Sequence, residues 1–247
     1  MTNADLTPDK VSLISDPQAL FVVNHSGGKD SQAMYILLRS LIPADQLIII
    51  HADLPEVDWV GIEDHIKVYS HHPFYVVRAN KTFFQMVEHR QKFPSPKNRQ
   101  CTSDLKRGPI NKFIRHYSLL NGYKIIVNCT GIRAEESPAR AKKIPFSKNE
   151  KLSNSKRTWY EWMPIHSLVT IEVFEIIAAA GEVPFWTYAA GMSRLSCCFC
   201  FMASINDLRV AAQLLPILYK RYCDTEIKYN FTLSMSGKFL PQLIKDK

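Results

Sequence analysis

Three short runs, Phe21-Val22-Val23, Leu47-Ile48-Ile49-Ile50 and Ile125-Ile126-Val127, contain no polar residue, and helix-compatible stretches separate them. A strand buried on both faces reads as such an unbroken apolar run, and strands that alternate with amphipathic helices build a parallel sheet. The pattern predicts strand Val22–Asn24, helix 30–41, strand Leu47–His51, helix 56–70 and strand Phe74–Val77. Helices over 80–90 and 109–120 follow, and then strand Lys124–Asn128. The fold class is therefore α/β, a doubly wound and mainly parallel sheet. Ligands of such sheets lie beyond the carboxyl ends of the strands. Three segments hold those places: SGGKDS at 26–31, HADLPE at 51–56 and TGIRAEESPAR at 130–140.

SGGKDS is built for an anion. Backbone N–H groups at a helix start point outward, Gly27 and Gly28 let a phosphate oxygen approach the main chain, and Lys29 adds a point charge. Ser26 and Ser31 add hydroxyl donors. An ordinary capped turn needs only one glycine. The net charge of +8 is concentrated: residues 81–160 hold 18 of the 31 Lys+Arg and only 5 of the 23 Asp+Glu. Such an excess beside a phosphate-binding turn points to a polyanionic partner such as nucleic acid. Within it, 142–157 carries few large apolar residues and is expected to be a mobile loop.

With 46% apolar residues the chain can bury a full core. No basic stretch followed by an apolar run opens the sequence, and the apolar runs are too short to span a bilayer. A cytoplasmic protein with no membrane partner is expected. In a reducing compartment the six cysteines, at 101, 129, 197, 198, 200 and 223, read as metal ligands, reactive thiols or core residues rather than disulfides. Cys197 and Cys200 form a C-x-x-C. Cys129, at a strand end, reads as a small core residue.

SGGKDS, HADLP, CTSDLKRGPI at 101–110, GIRAEESPAR at 131–140, WMPIHSL at 162–168 and RLSCCFC at 194–200 occur in an order that resembles the PP-loop ATP pyrophosphatases. Within that group, over about residues 20–205, the chain resembles the phosphoadenosine-phosphosulfate reductase branch. The resemblance implies an adenine nucleotide alpha hydrolase-like fold, with a PP-loop α/β domain over 1–190 and a cysteine-bearing helical C-terminal region over 191–247 packed on the same domain. It implies that Ser26, Gly27, Gly28, Lys29, Asp30 and Ser31 hold the β- and γ-phosphates of ATP, with Asp53, Gly131 and Arg133 also at the nucleotide or at Mg2+. Lys29, Asp30, Lys106, Arg133 and Arg140 are the implied catalytic residues, the arginine forks suiting an α-phosphate under attack.

Adenylyl-sulfate reductases of this family hold a [4Fe–4S] cluster on a cysteine pair and a later C-x-x-C. Cys101 matches the first cysteine of that pair, Thr102 stands at the second, and Cys197 and Cys200 match the rest. Cys198, Cys223 or a non-protein ligand would complete the set. Zinc and bare buried thiols are the other readings.

The reductases also carry a nucleophilic cysteine in a C-terminal ECGLH-like motif, and residues 224–247 contain no cysteine. Relatives without that motif insert sulfur. The resemblance then implies an ATP pyrophosphatase that adenylates a nucleic-acid oxygen for replacement by sulfur. DNA in a phosphorothioation system is favoured over tRNA, with a cysteine desulfurase as sulfur donor and further modification-system proteins as partners. The alternatives are a tRNA thiolation enzyme, a sulfonucleotide reductase and a nucleotide-responsive binding protein.

Overall fold

The computed structural model describes residues 8–245. Helices α1 to α11 span, in chain order, Pro8–Ile14, Lys29–Arg39, Ile62–Tyr69, Phe83–Arg90, Gln100–Thr102, Gly108–Leu120, Pro138–Ala141, Thr170–Ala179, Ile205–Leu214, Pro216–Tyr229 and Leu240–Lys245. Strands β1 to β6 span Ala19–Asn24, Leu47–Ala52, Phe74–Val77, Ile125–Cys129, Phe146–Lys148 and Thr158–Trp162. None of the described helices is long and apolar enough to cross a membrane.

The chain divides into two compact units that interleave in sequence: 1–51, 63–76 and 110–184 form the first, and 52–62, 77–109 and 185–247 the second. Sequence had suggested one division near residue 190.

The first unit carries the sheet, in the order β3-β2-β1-β4-β6-β5. β1 pairs in parallel with β2 and β4, and β4 with β6, while β5 runs antiparallel at the edge. This is the doubly wound, mainly parallel sheet. The apolar runs explain it: Ala19 to Val23, Leu47 to Ile50 and Ile126-Val127 are buried throughout, as strands covered on both faces must be. The order reverses at β1, so a crevice opens where β1 and β4 end. α8 packs on α2 through Ala33, Val173 and Ile177, and Arg39 of α2 holds buried Glu182 at 2.7 Å.

Two expectations change. The lysine-rich 142–157 segment is not a loose loop, because β5 lies inside it. Phe146 stacks on Tyr160 at 5.2 Å, and Asn149 donates through Nδ2 to Glu161 at 2.9 Å. α3 starts at Ile62 rather than 56, since Leu54 to Asp58 form a turn in which the Asp58 carboxylate accepts the Leu54 N–H at 3.1 Å.

The second unit is helical and packs around aromatic rings. Tyr222 of α10 lies against Phe83, Phe84, Phe93 and Phe199, with centroids 5.0–5.8 Å away. Glu226, fully buried one turn later, accepts the Leu233 and Leu240 N–H groups at 2.8 Å each, which satisfies its carboxylate internally.

Candidate functional site

In the first unit β1 ends at Asn24, and His25 to Gly28 turn the chain into α2. Gly27 has φ +81°, a left-handed conformation open to glycine with little strain. Its N–H donates to His25 Nδ1 at 3.1 Å. Gly28 caps α2 without any side-chain bond to the helix start, which leaves the first-turn N–H groups without a side-chain cap. Ser31 braces the turn: its hydroxyl accepts from Ser26 N at 3.1 Å and donates to Gly28 O at 2.9 Å. Lys29 is buried at the first position of α2, with Nζ 3.2 Å from Asp30 Oδ2.

β4 delivers the second side of the crevice. A Cβ on Gly131 would lie 2.9 Å from Asp30 C and 3.1 Å from Ser31 N, so only glycine lets this loop press on the α2 start. Arg133 is buried and committed to protein partners. Its Nε holds Asp30 Oδ1 at 2.7 Å, Nη1 meets Glu135 and the Leu168 carbonyl, and Nη2 donates to Thr170 Oγ1 at 3.0 Å. Asp30 thus joins Lys29 and Arg133. Arg140 pairs with Glu136, whose carboxylate also accepts the Arg133 N–H at 2.9 Å. Residues 26–31, Gly131 and Arg133 are therefore brought together, and Arg140 is one carboxylate away.

His25 was not foreseen, although it directly precedes SGGKDS. Burial first, then His51 and His65, push its imidazole down to about 3, so it stays neutral and accepts the Gly27 N–H. The unfolded chain protonates this histidine below about 6.5 and the folded one does not until about 3. Stability therefore falls as pH drops through that window, by up to about 1.4 kcal/mol per pH unit. His25→Asn, which keeps an acceptor that does not titrate, is expected to flatten the decline of the urea midpoint between pH 6.5 and 4 by about one proton. Parallel declines in variant and parent would contradict this.

The second unit holds the cysteine site. α5 runs into a π-helical turn, Ser103–Arg107, whose last bond is Gly108 N–H to Ser103 O. Wide turns of this kind shift helical phase and recur at functional sites. This one carries Lys106. Burial opposes the Lys106 charge, but Cys197, Asp58, Cys101 and Cys200 face it and hold its ammonium above the usual range. Burial in turn raises the thiols of Cys101, Cys197 and Cys198. At neutral pH the thiols of Cys101, Cys197 and Cys198 keep their protons, so they pull on Lys106 only once they ionise. A soft metal would displace those protons and create thiolates that Lys106 then balances.

Cys198 is buried, and its N–H donates to Val57 O at 2.8 Å. Met202 N–H reaches Cys200 Sγ at 3.5 Å. Thr102 Oγ1 lies 4.0 Å from Cys101 Sγ. Cys223 keeps different company, hydrogen-bonded with Tyr219 beside Glu226 and Asp224. Among the described residues no three cysteine sulfurs lie all within 4.8 Å of one another, whereas one zinc with sulfurs at about 2.3 Å would draw them closer. The convergence of Cys101, Cys197 and Cys200 on one lysine gives a soft donor set that fits a thiolate-bound group. Asp53 belongs to this unit too, with Oδ2 held by Arg78 at 2.5 Å. Asp58 was missed by sequence reasoning.

The family profile described as phosphoadenosine phosphosulfate reductase domain matches residues 20–203. The chain belongs to that family. A 37.8 kDa uncharacterized protein from the gpa 5' region of Escherichia phage 186 is 29% identical over 126 residues, 51% of this chain and 36% of its own. The chain thus spans about a third of that relative's length. Among solved structures, the phosphoadenylyl-sulfate reductase of Candida auris in phosphate complex is 11% identical, covering 79% of this chain and 90% of that one, with TM-score 0.49. The FMN adenylyltransferase of Candida glabrata is 17% identical at 0.47, over 73% of this chain and 53% of its own. The U34-tRNA thiolase of Methanococcus maripaludis with its [4Fe–4S] cluster is 14% identical at 0.46, over 96% and 74%. For this member of the reductase-domain family, Cys129 is a buried core residue.

Proposed function

We propose that this chain is an ATP pyrophosphatase of the PP-loop kind that activates a nucleic-acid oxygen for replacement by sulfur, with a DNA phosphate favoured over tRNA. The supporting observation is the turn at 26–31, where left-handed Gly27, the α2 N–H groups without a side-chain cap and buried Lys29 gather donors for a polyphosphate. Family membership supports nucleotide chemistry of this general kind.

In this reading a substrate oxygen attacks the α-phosphorus of ATP, an oxygen–phosphorus bond forms, and the bond to the β-phosphate breaks to release pyrophosphate. The turn and Lys29 neutralise the departing pyrophosphate. Arg133 acts by fixing Asp30 and the Gly131 loop, and Arg140 serves the α-phosphate once it leaves Glu136. The adenylated oxygen then departs with AMP as sulfur takes its place. Asp53 is the carboxylate proposed for Mg2+. Cys101, Cys197 and Cys200, with Cys198 beside them, would hold a [4Fe–4S] cluster, which when bound would supply a soft site for sulfur received from a cysteine desulfurase. Lys106 and Asp58 set the charge around those thiols.

The test is product analysis. ATP, Mg2+ and either duplex DNA or tRNA should yield AMP and pyrophosphate, and ADP with orthophosphate as main products would overturn the reading. The family match also favours a sulfonucleotide reductase, which would instead release sulfite from adenylyl sulfates without ATP.

Exposed Lys142, Lys143, Lys151 and Lys156 flank the β5 hairpin, and they support a polyanionic partner. Nucleic-acid affinity should fall linearly in log salt, with a slope of about −0.9 per phosphate contact on duplex DNA. Changing these four lysines to serine is expected to flatten that slope by roughly two to four contacts. Equal slopes for variant and parent on both DNA and RNA would mean the lysines only meet solvent.

A further inference from the structure

Among the described residues two buried side-chain polar atoms lack a hydrogen-bond partner, and one is the Tyr222 hydroxyl. Tyr222 is fully buried in the second unit. Its ring lies 5.0 Å from Phe199, the residue between Cys198 and Cys200, and its phenol faces Cys197, Cys198, Cys200 and Asp58. Four phenylalanines surround the ring, so another phenylalanine would fill the place without a polar atom. Buried hydroxyls are almost always bonded, because the desolvated O–H otherwise loses its water partners for nothing. The Asp58 carboxylate, whose Oδ2 takes the Leu54 N–H, makes no hydrogen bond to the phenol. The other groups the phenol faces are the sulfurs of Cys197, Cys198 and Cys200.

We propose that Tyr222 donates its hydroxyl hydrogen to a sulfur of the group held by Cys101, Cys197 and Cys200, and so acts as a residue that positions and tunes that group. The inference rests on the thiolate-site reading above. A hydrogen bond to a thiolate or sulfide withdraws electron density from it and favours the reduced state of an iron–sulfur group. Removing the bond should lower the midpoint potential while leaving the ligands in place.

The experiment compares the parent chain with Tyr222→Phe, both purified anaerobically and reconstituted with ferrous iron and sulfide. Iron and sulfide content, visible spectrum and an EPR-monitored redox titration are measured, together with thermal unfolding of metal-free protein. The variant is expected to take up the same iron and sulfide, while its ratio of reduced to oxidised group at the parent's midpoint falls about tenfold, equivalent to 59 mV for one electron. Metal-free Tyr222→Phe should be at least as stable as the parent, because no bond is lost; a merely structural hydroxyl would destabilise that form. An unchanged midpoint in a fully loaded variant overturns the role of Tyr222 alone. A parent chain that takes up no iron and sulfide overturns the cluster reading and this inference with it.

Discussion

Replacing Lys29 by alanine is expected to reduce AMP and pyrophosphate formation by about 10²- to 10³-fold, equivalent to about 3–4 kcal/mol of lost transition-state stabilisation. Charge builds on the bridging oxygen as pyrophosphate leaves, and a buried ammonium is worth more there than in water because low local dielectric strengthens its field. Lys29 is 5% exposed. Alanine also leaves a gap at the head of α2, so Lys29→Met, which keeps most of the volume, separates charge from packing. Both variants should lose activity, and only alanine should lower the melting temperature appreciably. The Gly27 and α2 N–H groups remain in either variant and should still bind pyrophosphate weakly. Methionine turning over at the parental rate would remove Lys29 from the chemistry.

Serine at Cys101, Cys197 or Cys200 is expected to remove the brown chromophore and bound iron, and with them sulfur incorporation into nucleic acid. A hard alkoxide is a poor substitute for a soft thiolate. ATP cleavage to AMP should persist in each variant, because none of the three cysteines belongs to the 26–31 turn. Cys223→Ser, beside Tyr219, should keep its iron, whereas Cys129→Ser, buried in β4, should alter stability alone. Iron and sulfide analysis of anaerobically prepared protein checks the first claim, and mass spectrometry of digested nucleic acid the second. Full sulfur transfer by a colourless triple variant would overturn the cluster; one zinc per chain without iron would replace it with a different metal.

The strands were legible wherever burial on both faces forced an unbroken apolar run, as at 47–50 and 125–127. β6 was not, since Glu161 interrupts TWYEW. Its carboxylate survives inside the sheet only because Asn128, Asn149 and Trp159 donate to it at 2.7–2.9 Å, a tertiary solution with no local pattern. β5 hid among lysines because an edge strand exposes one side and tolerates charge there. The glycine turn was legible as a turn into α2, because the left-handed Gly27 needs a residue without a side chain. Asp58 and Tyr222 were not legible: each gains meaning from neighbours far along the chain, and an aspartate in a turn or a tyrosine in a helix looks ordinary in sequence.

The chain passes from one compact unit to the other five times. Genetic exchange that moves one contiguous stretch can therefore neither acquire nor discard the cysteine-bearing unit while leaving the sheet-bearing unit whole. Only the last of its three segments, 185–247, can be lost in one step without cutting the sheet-bearing unit, and that step takes Cys197, Cys198, Cys200 and Cys223 together and leaves Cys101 behind. Loss of the thiols should thus be visible as a shortened chain that keeps the sheet and the 26–31 turn, with Cys101 stranded and free to drift.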